Sequence, residues 1–555
     1  GMNAGSALTE GLENVAMGHN TLLVDTKGKR STALGYGTLA NQNFTSLTQA
    51  YNTAVGFNAG ANITTGIQNT IIGGLAGDAL TDADYNVGVG MYALSSDTQG
   101  SKSTAIGYAA LYTQNFSSAT DSRNTAVGYN AGYSTTTATS NVIIGSLSGD
   151  ALTVGNANVV VGDAALTTDT QGDRAVAIGA NALAAQNFTS STDNYNVGVG
   201  YSAGTSITTG VENTLLGGLA GTSLTDADDN VAVGYNSLTA DTQGSKSTAI
   251  GRGALQTQNF SSATDSHNTA VGYNAGLSVT TGIHNTLIGS SAGDALNDAD
   301  SNVAIGSSSL AVDTKGSKST AVGHSALEAQ NFTSSTFSYN TAIGADSGKG
   351  ITTGEKNTLL GSLSGTHGGD LTTGNRNICI GYDNGVQPTG SHQIVIGDGF
   401  VTAGDNDFSF GKASNVVTND FDSDANWSRS SDERLKKNIT DQKLGLDFIN
   451  DLRTVKYNWK PSHELDSTDS QLAHLYKEEE ADNEMNTTVT MHNFIAQEVK
   501  TALDKAGVSD FAGWKEDQYG VQQVSREMFI IPLVKAMQEL SAKNDALEAR
   551  IKTLE

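Results

Sequence analysis

Ser431 and Lys436 lie five residues apart in the stretch Ser431-Asp432-Glu433-Arg434-Leu435-Lys436-Lys437-Asn438-Ile439. A serine hydroxyl attacks only when a base takes its proton, and a lysine is such a base only where burial or neighbouring cations push its pKa toward neutrality. In an unfolded chain Lys436 is exposed and inert. On residue types alone the stretch is a boundary loop followed by a short charged element, and a polar linker accounts for it as well as chemistry does. Its position is more telling, because it marks a seam between two sequences of different character.

The chain has 555 residues, 64 of them Gly and only 3 Pro, with 6% aromatic and 16% charged positions. That profile belongs to something repetitive rather than to ordinary globular domains. Net charge is −26. Residues 432–555 hold 16 Lys/Arg and 23 Asp/Glu, leaving 15 and 34, or −19, for residues 1–431. A thinly charged acidic stretch lacks the clustered cations that nucleic acid or anionic lipid requires, so neither is an expected partner. No window approaches the ~20 apolar residues of a membrane span and no basic-then-apolar leader opens the chain, so membrane insertion and cleavable secretion are not expected. The single Cys379 sits in the apolar triplet Ile378-Cys379-Ile380 and reads as a buried thiol.

Repeats fill residues 1–397. Most units open with Asn, then Thr or Val, two apolar residues and Gly, as in Asn124-Thr125-Ala126-Val127-Gly128 and Asn213-Thr214-Leu215-Leu216-Gly217. Starts at 52, 69, 86 and 103, then 124, 141, 158 and 175, define spacings of 17, 17, 17 and 21 and a superperiod of 72. The same phase reaches back to Gly1, so the chain is expected to begin inside a repeat of a longer fibre. A unit this short cannot bury a core alone and must stack on its neighbours. The triplet alternates faces as a strand does, the Gly supplies a turn that a side chain would block, and the opening Asn is suited to an amide ladder along the stack. The predicted fold is mainly β: a parallel β-roll or β-solenoid shaft, assembled as three chains, followed by an α+β domain.

Every fourth unit carries an extension with a Phe, giving Phe44, Phe116, Phe188, Phe260 and Phe332 at intervals of 72. These rings are either a receptor-binding ridge or staples that hold each loop on a neighbouring coil, and burial of one Phe is worth about 2 kcal/mol to such a loop. Asp-Thr-Gln/Lys-Gly turns such as Asp97 to Gly100 read as Asp-capped turns rather than Ca²⁺ sites. No metal and no cofactor is expected. Residues 398–431, rich in Asp, Asn and Ser with Phe408, Phe410, Phe421 and Trp427, read as a cap or tip that closes the shaft.

Downstream of the seam the pattern predicts a helix over 444–452, a strand over 454–459, a strand running into a helix over 493–506, and a long helix over 528–555. Residues 462–486 read as a disordered insertion. On the last helix Leu533, Met537, Leu540, Asn544, Leu547, Ile551 and Leu554 alternate spacings of 4 and 3, a coiled-coil seam with Asn544 at an a position where an amide fixes register.

The seam and the sequence after it resemble the C-terminal intramolecular chaperone of phage tailspikes and tail fibres, whose cleavage pattern is Ser-Asp-x-Arg-Leu-Lys followed by Asn-Ile. The blocks Leu444-Gly445-Leu446-Asp447-Phe448-Ile449, Tyr457-Asn458-Trp459-Lys460, Phe494-Ile495-Ala496-Gln497-Glu498-Val499 and Leu533-Val534-Lys535-Ala536-Met537-Gln538-Glu539-Leu540 match it too. Thr454 and Asn493 depart from it, where Pro and Gly are usual. The resemblance implies a single-turnover autoproteolytic serine peptidase that cuts Ser431–Asp432, with Ser431 as nucleophile, Lys436 as base, and Arg434 and Lys437 as candidate supports. The repeats resemble the head β-rolls of trimeric autotransporter adhesins. Together they imply a homotrimeric tail fibre whose 432–555 chaperone directs assembly and is then released. Its partners would be itself and a host receptor such as a glycan or outer-membrane component, and its place the virion tail after assembly in the host cytoplasm. The alternatives are a bacterial surface adhesin with the same chaperone, or a polysaccharide-degrading tailspike, for which the repeats offer no distinct carboxylate pair.

Overall fold

A computed structural model describes residues 1–402, 404–420, 431–479 and 487–555. The chain divides into two compact units, Gly1–Arg429 and Ser430–Glu555.

The first unit is a β-solenoid. As far as Ile378–Ile380 each coil contributes one three-residue strand to a sheet of 24 strands, in parallel register with the coil before and after, as in Thr53↔Thr70↔Val87. The middle side chain of each triplet points inward: Ala54, Ile71, Ala105 and Ile143 are fully buried, joined from the turns by Leu80, Leu94 and Leu111. The flanking two point outward, so the third position leaves a column of apolar side chains on the sheet's outer face, among them Ile72, Ile106, Ile144 and Ile178 at 37–38% exposure. The Gly that ends each strand is obligatory for close approach. Gly217 has φ +144°, and a Cβ there would meet the carbonyl O of Gly234 in the next coil at 2.5 Å.

The opening Asn residues form the expected ladder, with a geometry of its own. In each step the backbone N–H of one Asn donates to Oδ1 of the Asn one coil back, as Asn69 does to Asn52 at 2.9 Å. The Nδ2 of the same residue donates to a carbonyl further along its own coil, as Asn69 does to Ala83 at 2.8 Å. From Asn52 to Asn377 they are at most 1% exposed, so these rungs satisfy groups that would otherwise be costly to bury.

The superperiod is an interruption of that ladder. Every fourth coil opens with Ser or Ala instead of Asn, at Ser103, Ala175, Ser247 and Ser319. Gln114 from the four-residue extension supplies the missing amide: its Nε2 donates to Asp97 and to Ser103 Oγ (3.0 Å), and its Oε1 accepts from Asn124 at 2.9 Å. The Asp97 carboxylate caps its own turn through Gly100 N–H at 3.0 Å and receives Phe116 N–H at 3.3 Å. The Asp turn and the Phe extension are therefore one device. A Cβ on Gly100 would lie 2.8 Å from the Phe116 ring, so the glycine makes the ring's seat. The five Phe rings are only 4–6% exposed. Each ring lies under its own loop rather than on the surface of the chain, the placement the staple reading calls for. The Asp-turn carboxylates are occupied by N–H donors rather than offered outward.

The sheet runs past residue 397, where the sequence placed its last strand: Asp407–Lys412 continues it in parallel and Asn415–Asp420 folds back antiparallel. A reversed final strand gives the sheet an edge unlike the repeating one, the usual way of ending a stack. Phe408 and Phe410 fall on these strands, while Phe421 and Trp427 lie outside the described residues.

The second unit is α+β. Helix α1 (Leu446–Asp451) and helix α2 (Ala496–Ala506) pack Phe448, Val499 and Leu503 against Phe529, with Leu444 sealing the side. Helix α3 spans Ile530–Leu554. Its Glu539 carboxylate accepts the N–H of Leu446 at 2.7 Å and so caps the start of α1. A Cβ on the preceding Gly445 would strike that carboxylate at 2.3 Å. Strands Val455–Tyr457 and Met491–Asn493 pair antiparallel. A second hairpin, Trp514–Glu516 with Gln522–Val524, was not foreseen. The stretch expected to be a disordered insertion contains short turns of 3₁₀ helix at Ser462–Glu464 and Ala473–Leu475, and its residues 480–486 lie outside the described residues.

Candidate functional site

The serine and the lysine come together. Lys436 Nζ donates to Ser431 Oγ at 2.7 Å. What closes the five-residue gap is a single turn of 3₁₀ helix, Glu433–Leu435, which brings the residue on each side of it back over the same face. Asp432 caps that turn: its carboxylate accepts the backbone N–H of Arg434 at 2.9 Å. The Arg434 guanidinium then folds onto the same carboxylate, with Nη2 to Oδ2 at 2.6 Å and Nε to Oδ1 at 3.0 Å. That contact, ahead of the backbone bond, holds the Asp432 carboxyl below its ordinary range.

Arg434 was a candidate to depress the lysine or to hold an oxyanion. Its guanidinium is instead paired with Asp432, and the pair fixes the turn. Lys437 is exposed and has no hydrogen-bond or ionic partner among the described residues, so it is the cation left free beside the pair.

Ser431, Asp432, Arg434 and Lys436 are all solvent-exposed. A lysine ammonium can only donate its proton. To act as base it must lose that proton and accept from Oγ–H, and desolvation is what favours the neutral amine. Within one chain the pair is in hydrogen-bond reach and lacks the burial.

The predicted seam residues on α3 are likewise uncovered. Leu533, Leu540, Leu547 and Ile551 are 48–55% exposed, Met537 and Leu554 more so, and the Asn544 amide donates to Glu548 at 3.4 Å. The face that α3 does bury, through Pro532 and Ala536, is a different one. The two departures from the expected pattern, Thr454 and Asn493, fall at the edge of the Val455–Tyr457 hairpin. They line a cavity of about 390 Å³ there, away from the dyad. Among the described residues no cluster of His, Cys, Asp and Glu is arranged to hold a metal ion, and no helix is long and apolar enough to cross a membrane.

This arrangement defines a class: a β-solenoid followed by a small α+β domain that opens on a serine–lysine pair. Comparison with known families is consistent with it. Residues 431–508 match the peptidase family described as the chaperone of endosialidase, and the match begins at the serine of the pair. Neither the curated proteins nor the solved structures give a match to this chain.

Proposed function

We propose that this chain is a homotrimeric, phage tail-fibre-type adhesin whose C-terminal unit lines up three copies and then cuts itself away at Ser431–Asp432. The observation that carries the reading is the 2.7 Å Lys436–Ser431 contact at the start of a chaperone-of-endosialidase match. Two uncovered apolar surfaces support the trimer: the seam of α3 and the outer column of the shaft sheet. Exposed apolar stripes of this length are what association covers.

Burial by neighbouring copies supplies what the dyad lacks alone, so cutting follows assembly. The chemistry points the same way. The Ser431 hydroxyl and the scissile carbonyl belong to one residue, and closing one on the other would make a four-membered ring. Attack therefore comes from Ser431 of another copy. Lys436 takes the Oγ proton as Oγ adds to the neighbour's Ser431 carbonyl. The intermediate collapses, the C–N bond breaks, and the proton passes to the departing Asp432 amine. Water then hydrolyses the ester, freeing the Ser431 carboxylate and regenerating the hydroxyl. Release of the template leaves the shaft unable to retrace its assembly path, which is kinetic stability.

The test is a mixed assembly of wild-type chain with a longer-tagged Ser431→Ala chain. Attack between copies predicts that the tagged chain is cut in mixed trimers and stays whole alone; a tagged chain left whole in both would contradict it.

A further inference from the structure

The residue before each ladder Asn sits at an exposed left-handed corner, so its side chains form a column, one per coil, about 4.8 Å apart. For most of the shaft its cations are neutralised by a carboxylate one coil on: Lys102 by Asp121 at 2.6 Å, Arg174 by Asp193, Lys246 by Asp265 at 2.5 Å. The last superperiod breaks the rule. Where Asp121, Asp193 and Asp265 stand, the chain has Phe337, and Lys318 lies over its ring at 3.9 Å from the centroid. From there the column reads Lys318, Tyr339, Lys356, Arg376, His392. Phe337 and Tyr339 are 52% and 47% exposed. Arg376 Nη1 lies 3.3 Å from His392 Nε2, and no carboxylate pairs with Arg376 among the described residues. Lys356 is paired with Glu355 at 2.8 Å, and these four side chains line a polar hollow of about 240 Å³ with Asn375 and Ser391.

We propose that this strip binds an acidic glycan, with Tyr339 and Phe337 receiving sugar faces, Arg376 and His392 receiving a carboxylate or phosphate, and Glu355 accepting hydroxyls. The chemistry matches each part. Exposed aromatic rings offer flat apolar faces with a polar handle, and a guanidinium fork fits a planar or tetrahedral anion in two bonds. In a unit of net charge −19, Lys318 and Arg376, two cations of one column without a carboxylate partner among the described residues, are a local departure that a structural role does not require. Over four coil steps the strip is ~19 Å long, room for several sugars.

The proposal rests on the adhesin reading but is scored apart from it. Full-length protein is titrated with short oligogalacturonate, with its uncharged methyl ester, and with a phosphomannan fragment, the first and last separating carboxylate from phosphate. At least one acidic probe should bind about tenfold tighter than the ester. The double variant Arg376→Gln, His392→Gln should lose about that factor, Tyr339→Ala severalfold, and Lys246→Gln nothing. Equal binding of acid and ester, or undiminished binding by the double variant, overturns the strip. Cleavage and trimer mass on the same samples then show whether the adhesin reading stands without it.

Discussion

The two units solve opposite problems with the same currency of apolar and polar surface. In the shaft every coil hides its amides in a ladder, its Phe in a seat of glycine and its carboxylates behind N–H donors. In the C-terminal unit a core of a few aromatics supports a helix whose apolar seam is bare and a serine–lysine pair that water reaches freely. The first satisfies its buried polar groups within one chain. On the function proposed above, the second is completed by partner copies, used once and released.

The comparison breaks most visibly at α3. Replacing both Leu540 and Ile551 by Asp puts like charges into the seam, and we expect the trimer and its cleavage to be lost together, read by sedimentation and by denaturing gel; a trimer that survives would mean that the shaft alone dictates assembly. In the shaft, Gly217→Ala forces a Cβ into the next coil's backbone at a φ that L-residues avoid, costing about 3 kcal/mol in urea unfolding. Phe188→Ala empties its seat and should cost a similar ~3 kcal/mol, with the neighbouring superperiods untouched in hydrogen exchange.

The smallest effect is one of pH. Burial, ahead of the hydrogen bonds that oppose it, holds the Asp97 carboxyl above its ordinary range. The folded chain thus binds that proton more readily than the unfolded one, so this group's contribution grows more favourable as pH falls through the carboxylate range and is lost above it. Unfolding of wild type against Asp97→Asn should converge or cross in wild type's favour on acidification; divergence the other way would contradict the assignment.

Much of the shaft was legible because its signal is repetition: the apolar triplet as a strand, the Asn rung and the Gly turn all follow from spacing. The joint between the Asp turn and the Phe extension was harder to see, since the two are 17 residues apart and belong to different coils. Their shared recurrence at 72 residues was the available clue. In the second unit the helices and the strand over 454–459 showed through their apolar patterns, whereas Trp514–Val524 is short and polar enough to pass for loop. The Ser431–Lys436 pairing was named through a family pattern, because its spacing alone carries no geometry until the 3₁₀ turn is known. That Arg434 is spent on Asp432 could not be read from charge order.

The most direct test is a denaturing gel of wild type, Ser431→Ala and Lys436→Ala chains after assembly. The account predicts fragments of 431 and 124 residues from wild type and only the 555-residue chain from either variant. A wild-type chain that assembles and stays whole, or a Lys436→Ala chain cut at the wild-type rate, would contradict it.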